Sequence, residues 1–152
     1  MIEEKILELG FTVPTVAKPL AAYIPAHRVG NLVMTSGQVP LVMGEIKYKG
    51  KVGKDISEEE AKKAAEVCAL NCLAAIKAEI GNLDLINRVL KLTVFVASAE
   101  GFGNQPEVAN GASELVGKIF GEAGKHTRAA VGVSELPKNS SVEIEMIVEL
   151  KN

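Results

Sequence analysis

The chain has 152 residues, 47% hydrophobic and 24% charged, with 17 Lys and Arg against 19 Asp and Glu for a formal net charge of -2. That composition suits one buried core, a single domain over residues 1–152, and it lacks the basic field of a dedicated nucleic-acid binder. Trp is absent, no apolar run reaches the roughly 18 residues that cross a bilayer, and the start Met1-Ile2-Glu3-Glu4-Lys5-Ile6 is acidic where a signal peptide is basic, so no nucleic-acid or membrane partner and a cytoplasmic location are expected.

In chain order, residues 32–36 form the first apolar run of strand length, and residues 45–48 suit a short hairpin. The run Lys47-Tyr48-Lys49-Gly50-Lys51-Val52-Gly53-Lys54 is the only basic cluster, and its glycines make it a solvated turn rather than a phosphate site. Ser57-Glu58-Glu59-Glu60 then spells a capping box. Behind it Ala61, Ala65, Cys68, Cys72 and Ile76, joined by Ala69, Leu73 and Ile80, make one apolar stripe, and Gly81 ends the helix. Cys68 and Cys72 share that stripe with no histidine in the segment, so they read as small apolar residues; no metal site and no cofactor is expected.

Residues 88–97 form a β-branched strand, and a second helix opens at Gln105-Pro106 and closes at Gly121. Val108, Ala112, Leu115 and Ile119 mark its buried side, while Gly111 and Gly117 each cost it roughly 1 kcal/mol relative to alanine. Strands at 128–134 and 142–150 follow. In the last, Val142, Ile144, Met146, Val148 and Leu150 share one face, with Glu143, Glu145 and Glu149 on the other. Two helices cannot cover both sides of a sheet this wide. The expected fold is therefore α+β, a mixed sheet of five or six strands with two helices on one face.

Alternation in the strand at 128–134 sets Arg128, Ala130, Gly132 and Ser134 against Ala129, Val131 and Val133. Taking the valine side as the core puts Arg128 among small residues on the uncovered face, with Glu143 as a neighbour. A guanidinium and a carboxylate beside a concavity suggest a ligand site; a solvated ion pair is the plainer alternative.

Thr35-Ser36-Gly37-Gln38-Val39-Pro40, Thr93-Val94-Phe95-Val96, Arg128 followed by Leu136-Pro137, and Val142-Glu143-Ile144-Glu145 occur in that order over about residues 20 to 150. Together they resemble the reactive intermediate/imine deaminase family, also called RidA or YjgF. The resemblance implies a chorismate-mutase-like domain, a homotrimer with clefts between subunits, and hydrolysis of enamines and imines such as 2-aminoacrylate to a 2-oxo acid and ammonia, with no cofactor. It implies that Arg128 holds a small-molecule carboxylate substrate, that Glu143 activates water, and that Tyr23, Gly37, Ala130 and Asn110 shape the pocket. Three features depart from the family: Ala130 stands where a cysteine is usual, His126-Thr127 precede Arg128 where Pro-Ala is typical, and the stretch Gly101 to Gly111 before Ser113 is longer than usual. Two other readings stay open, a non-catalytic binder of small carboxylates in the same cleft and an endoribonuclease or translation inhibitor. Absence of paired histidines, the charge and the lack of Trp weigh against the nuclease. His126, two residues before Arg128, has the chemistry for proton exchange, though a loop histidine without a role is the simpler reading.

Overall fold

The computed structural model describes residues 1–16 and 21–152. Its elements are α1 (Ile2–Glu8), β1 (Ala26–Val29), β2 (Leu32–Thr35), β3 (Leu41–Val42), β4 (Glu45–Ile46), α2 (Glu58–Ile80), β5 (Ile86–Ala97), α3 (Gln105–Phe120), β6 (Thr127–Val133) and β7 (Val142–Leu150). No helix among the described residues is long and apolar enough to cross a membrane.

The α2 start is the capping box expected. The Glu60 amide donates to Ser57 Oγ at 3.1 Å, and the Ser57 amide donates to the Glu60 carboxylate at 2.9 Å. Those bonds hold the Glu60 carboxyl below its ordinary pKa, since each favours the charged form. Gly81, with φ 83°, ends the helix at a conformation side chains disfavour. The third helix runs from Gln105 to Phe120, matching the expected limits, with Pro106 in its first turn. A third α-helix was not anticipated: α1, seven residues long, buries Ile6 and is tied down by a Lys77–Glu3 ion pair at 2.8 Å and by the Ile2 amide donating to Asp84 at 2.7 Å. At two turns it is too short to form without such tertiary contacts.

Five strands make the main sheet in the order β1-β2-β7-β5-β6, with β3 and β4 a separate hairpin. Every pairing in the main sheet is antiparallel except β5 with β6, which is parallel and joined through α3. A parallel pair needs such a crossover. Helix α2 packs against β1, β2 and β7, α3 against β5 and β6, and α1 against α3. Val33, Val89, Leu92, Val94, Val96, Val142, Ile144, Met146 and Val148 all bury completely under this layer. On the opposite face Val29, Leu32, Met34 and Val131 remain 57, 38, 40 and 42% exposed, so that face is uncovered and partly apolar.

Alanine and glycine bring the helices close. A Cβ added at Gly111 of α3 would collide with the Lys62 carbonyl oxygen of α2, which is backbone and cannot step aside. The glycine that weakens α3 locally thus allows its crossing with α2. Cys68 and Cys72 are fully buried, their thiols donating to the Val142 and Ile144 carbonyls at 3.6 and 3.3 Å. Burial pushes both thiols up, Cys72 to about 12, so they stay protonated and unreactive.

Gly111→Ala is expected to destabilise by about 1–3 kcal/mol through overpacking at the crossing. Gly117→Ala, at an exposed helical position with nothing within 4 Å of the new methyl, should instead stabilise by up to about 1 kcal/mol. Paired denaturant titrations read both signs.

Candidate functional site

The parallel register sets Leu92 opposite Arg128, Val94 opposite Ala130 and Val96 opposite Gly132. Since Leu92, Val94 and Val96 are fully buried under the helices, Arg128, Ala130 and Gly132 face the helix layer too. This corrects the expected orientation, which had the alternation right and its sign reversed. The small residues are small because α3 approaches them: a Cβ at Gly132 would lie 2.8 Å from Gln105 Nε2 and 3.1 Å from Ser98 Oγ. Val131, read as core, lies on the uncovered face.

Because β6 is the sheet edge, Arg128 stays exposed, and its side chain turns onto α3. Nη1 donates to Asn110 Oδ1 at 2.8 Å and to Ser113 Oγ at 3.1 Å. Asn110 Nδ2 donates to Glu107 at 3.2 Å, and Glu107 pairs with Lys62 at 2.8 Å. Lys62 holds the Glu107 carboxyl below its ordinary range, and Glu107 holds the Lys62 ammonium above its own. Ser113 Oγ lies 2.9 Å from His126 Nε2, and His126 Nδ1 lies 2.6 Å from the Gly124 carbonyl. Arg128 itself enters no ion pair among the described residues. Ala130 sits half-buried beside the core.

A second cluster occupies the uncovered face. Met34 lies opposite Ile147 and Gln38 opposite Ile144, so Thr35, Ser36 and Gly37 stand against only Glu145 and Met146. The extra residue makes a bulge. The Thr35 hydroxyl accepts from the Met146 amide at 3.0 Å in place of a ladder bond, and pairing resumes where the Gln38 amide donates to the Ile144 carbonyl at 2.7 Å. Gly37, pushed out of the ladder, comes against Glu143, whose carboxylate oxygen occupies the space a Cβ at Gly37 would need. Burial raises the Glu143 pKa, and neighbouring Glu145 raises it further, so its carboxylate is a stronger base than an exposed one. Beyond Glu145, Tyr23 lines a shallow hollow with Ile24, His27, Met34 and Ser36. Tyr23 is 52% exposed there.

Glu143 sits opposite Phe95 on the uncovered face, while Arg128 sits opposite Leu92 on the helix face. Three residues along the strands and two strands across separate them, roughly 10 Å in each direction, with the sheet between. Within one chain, therefore, the expected residues form two groups: Arg128, Asn110 and Ala130 on the edge, and Glu143, Gly37 and Tyr23 on the open face. The expectation of Glu143 beside Arg128 fails inside a single chain. Ser113 was missed. Its signal was a spacing of three from Asn110, which puts both on one helix face.

A mixed five-stranded sheet with all helices on one face, an exposed edge arginine and a half-buried glutamate beside a glycine bulge define an α+β protein of the chorismate-mutase-like class. Residues 3–150 match the family described as "YjgF/chorismate_mutase-like, putative endoribonuclease", and the chain belongs to that family. The crystal structure of protein Atu1372 from Agrobacterium tumefaciens is similar at 48% identity and TM-score 0.92, covering 99% of this chain and 92% of that one. Protein TCP17 of Trypanosoma cruzi is 38% identical over 99% of this chain and 95% of its own. The 2-iminobutanoate/2-iminopropanoate deaminase of Dermatophagoides farinae is 30% identical over 91% of this chain and 93% of its own.

Because folding raises the Glu143 pKa above the ordinary 4.5, its charged form works against the fold. That contribution is most favourable below the ordinary carboxylate range and is lost as pH rises through the raised value. Glu143→Gln should therefore gain stability relative to wild type as pH increases across that window, then hold a constant difference. Thermal melts of both proteins from pH 3 to 8 check this.

Proposed function

We propose that this protein is a hydrolytic deaminase of carboxylate-bearing enamines and imines of the 2-aminoacrylate type, working in clefts between subunits of a homotrimer. One observation carries the reading most of all: Arg128 is exposed, tethered through Nη1 and without an ion pair among the described residues, as a carboxylate clamp requires. The deaminase named among its relatives supports the chemistry.

In this reading the substrate carboxylate takes the Nε–Nη2 edge of Arg128 in a bidentate pair, which a lysine could not reproduce. Glu143 of a neighbouring subunit removes a proton from water as its oxygen attacks the imine carbon, returns that proton to the imine nitrogen, and then carries the new hydroxyl's proton to the departing nitrogen. The resulting carbinolamine loses ammonia as its C–N bond breaks, and a 2-oxo acid remains. Water is the only co-reactant and no electrons are exchanged. Burial suits Glu143 to the task by strengthening it as a base, and Gly37 keeps the space beside its carboxylate clear. Tyr23 and Ala130 border the substrate's side chain. Assembly is integral to the proposal, because the arginine and glutamate lie on opposite faces of one sheet and only a second copy can bring them together. The partly apolar open face, with Met34, Leu32 and Val131 uncovered, supports that assembly.

A second reading, binding of small carboxylates without turnover, rests on the same Arg128 and on Ala130 in place of a thiol. Endoribonuclease chemistry by a histidine pair is disfavoured: His27 lies on β1 and His126 just before β6, the two ends of the main sheet, roughly 20 Å apart by strand spacing.

Wild type should release ammonia from freshly generated 2-aminoacrylate. Arg128→Ala and Glu143→Gln should each lose roughly 100-fold or more in kcat/KM with oligomeric state unchanged. Gly37→Ala should lose activity by displacing the flexible Glu143 carboxylate while its Tm stays near wild type. Unchanged turnover in Arg128→Ala, or a stable monomer by light scattering, overturns the mechanism; pyruvate binding without ammonia release from any imine would establish the binder instead.

A further inference from the structure

With the His126 ring neutral, the bonds around Arg128 run in one direction. A carbonyl can only accept, so the 2.6 Å contact between His126 Nδ1 and the Gly124 oxygen assigns the ring proton to Nδ1. In the neutral ring Nε2 then carries a lone pair, and the Ser113 hydroxyl at 2.9 Å must give its proton there. With its hydrogen committed, Ser113 Oγ presents lone pairs to Arg128 Nη1 at 3.1 Å. Asn110 Oδ1 takes the other Nη1 hydrogen at 2.8 Å. The relay runs from Arg128 to Ser113 to His126 to Gly124. Its far end is anchored, because Gly124 is buried with the Val116 carbonyl oxygen 2.7 Å and Phe120 Cβ 3.2 Å from where a Cβ would sit. Ser113 is held by α3 itself.

We propose that Ser113 and His126 are positioning residues that preset Arg128 as a carboxylate clamp. The relay occupies Nη1 and leaves Nε and Nη2 without partners among the described residues. Those two donors form the fork that matches a carboxylate. Arginine is long and loses rotamer freedom when it grips a ligand; bracing it beforehand removes part of that loss from the binding step. Asn110 alone would leave the guanidinium free to swing about one bond, whereas two acceptors on one helix face fix its plane. Glu107, one turn before Asn110 on α3, is engaged by Lys62 and Asn110 and so does not compete for the fork. The substrate class is the α-carboxylate of amino-acid-derived imines and 2-oxo acids, and the inference rests on the deaminase reading for Arg128.

The test compares ammonia release from 2-aminoacrylate and calorimetric binding of pyruvate in wild type, Ser113→Ala, Ser113→Thr and His126→Leu, and repeats Ser113→Ala in an Arg128→Lys background. Loss of the relay should raise KM and the pyruvate Kd about ten-fold, the scale of one hydrogen bond to a charged group, with kcat within about two-fold. Ser113→Thr, which keeps the hydroxyl, should recover wild-type values. In the Arg128→Lys background Ser113→Ala should add nothing, because Ser113 acts through the guanidinium. An unaltered KM and Kd in Ser113→Ala and His126→Leu, or the same ten-fold cost with lysine at 128, overturns the positioning role while leaving the deaminase intact. A wild type with neither turnover nor pyruvate affinity overturns both. Thermal melts of each variant separate loss of the clamp from loss of the fold.

Discussion

The parallel pairing of β6 with β5 is the constraint on which the rest of the site depends. A parallel neighbour can be reached only by a crossover, and here the crossover is α3, which must then lie over the two strands it joins. The register puts Arg128 beside the fully buried Leu92, so the arginine emerges on the helix side at an edge of the sheet. Asn110 and Ser113 meet it because they lie on the helix that the crossover made. A one-residue slip would send Arg128 to the uncovered face, away from every partner it has.

The same sheet positions Glu143 by a different device. On β7 the alternation is strict, and Glu143 falls on the open face as any odd residue there would. Its surroundings come from the bulge at Ser36-Gly37, which lets β2 depart from the ladder and return at Gln38. The Thr35 hydroxyl accepts the Met146 amide that the bulge would otherwise leave unpaired. Half-burial against a glycine backbone, with Glu145 beside it, then raises the carboxyl's pKa, and the carboxylate enters no ion pair among the described residues. An edge arginine thus lies on one face of the sheet and a half-buried acid on the other. Apolar side chains also stay uncovered on the acid's face, Leu32 and Met34 on β2 and Val131 on β6.

Much of the fold was legible before any coordinates. The capping box at Ser57, proline at the start of α3, Gly121 at its end and the alternation of β7 each report a local rule, and each element appears where its rule put it. The family motifs and the residues they single out were legible too. Other features were not, among them the edge strand β1, whose His27 and Arg28 break any apolar run. Helix α1 is too short to exist by propensity and depends on Asp84 and Lys77, far away in sequence. Gly111 looked like a local weakness and is a contact point between helices. The orientation of β6 is the reverse of the expected one, because alternation divides a strand into two faces without saying which one the helices cover, and valine alone does not mark the buried one.

The amino-acid sequence by itself determined the α+β class, the two long helices and the strand alternation, since these follow from neighbours within a few residues; the arginine and glutamate are singled out by the resemblance to the family. Only the tertiary structure decided that Arg128 faces α3, that Ser113 and His126 stand in line behind it, and that Glu143 lies through the sheet on the other side. The physical reason is that a face is chosen by what packs against it. Residues 92, 113, 126 and 128 acquire their relation through one parallel register and one helix crossing, and no local pattern encodes either.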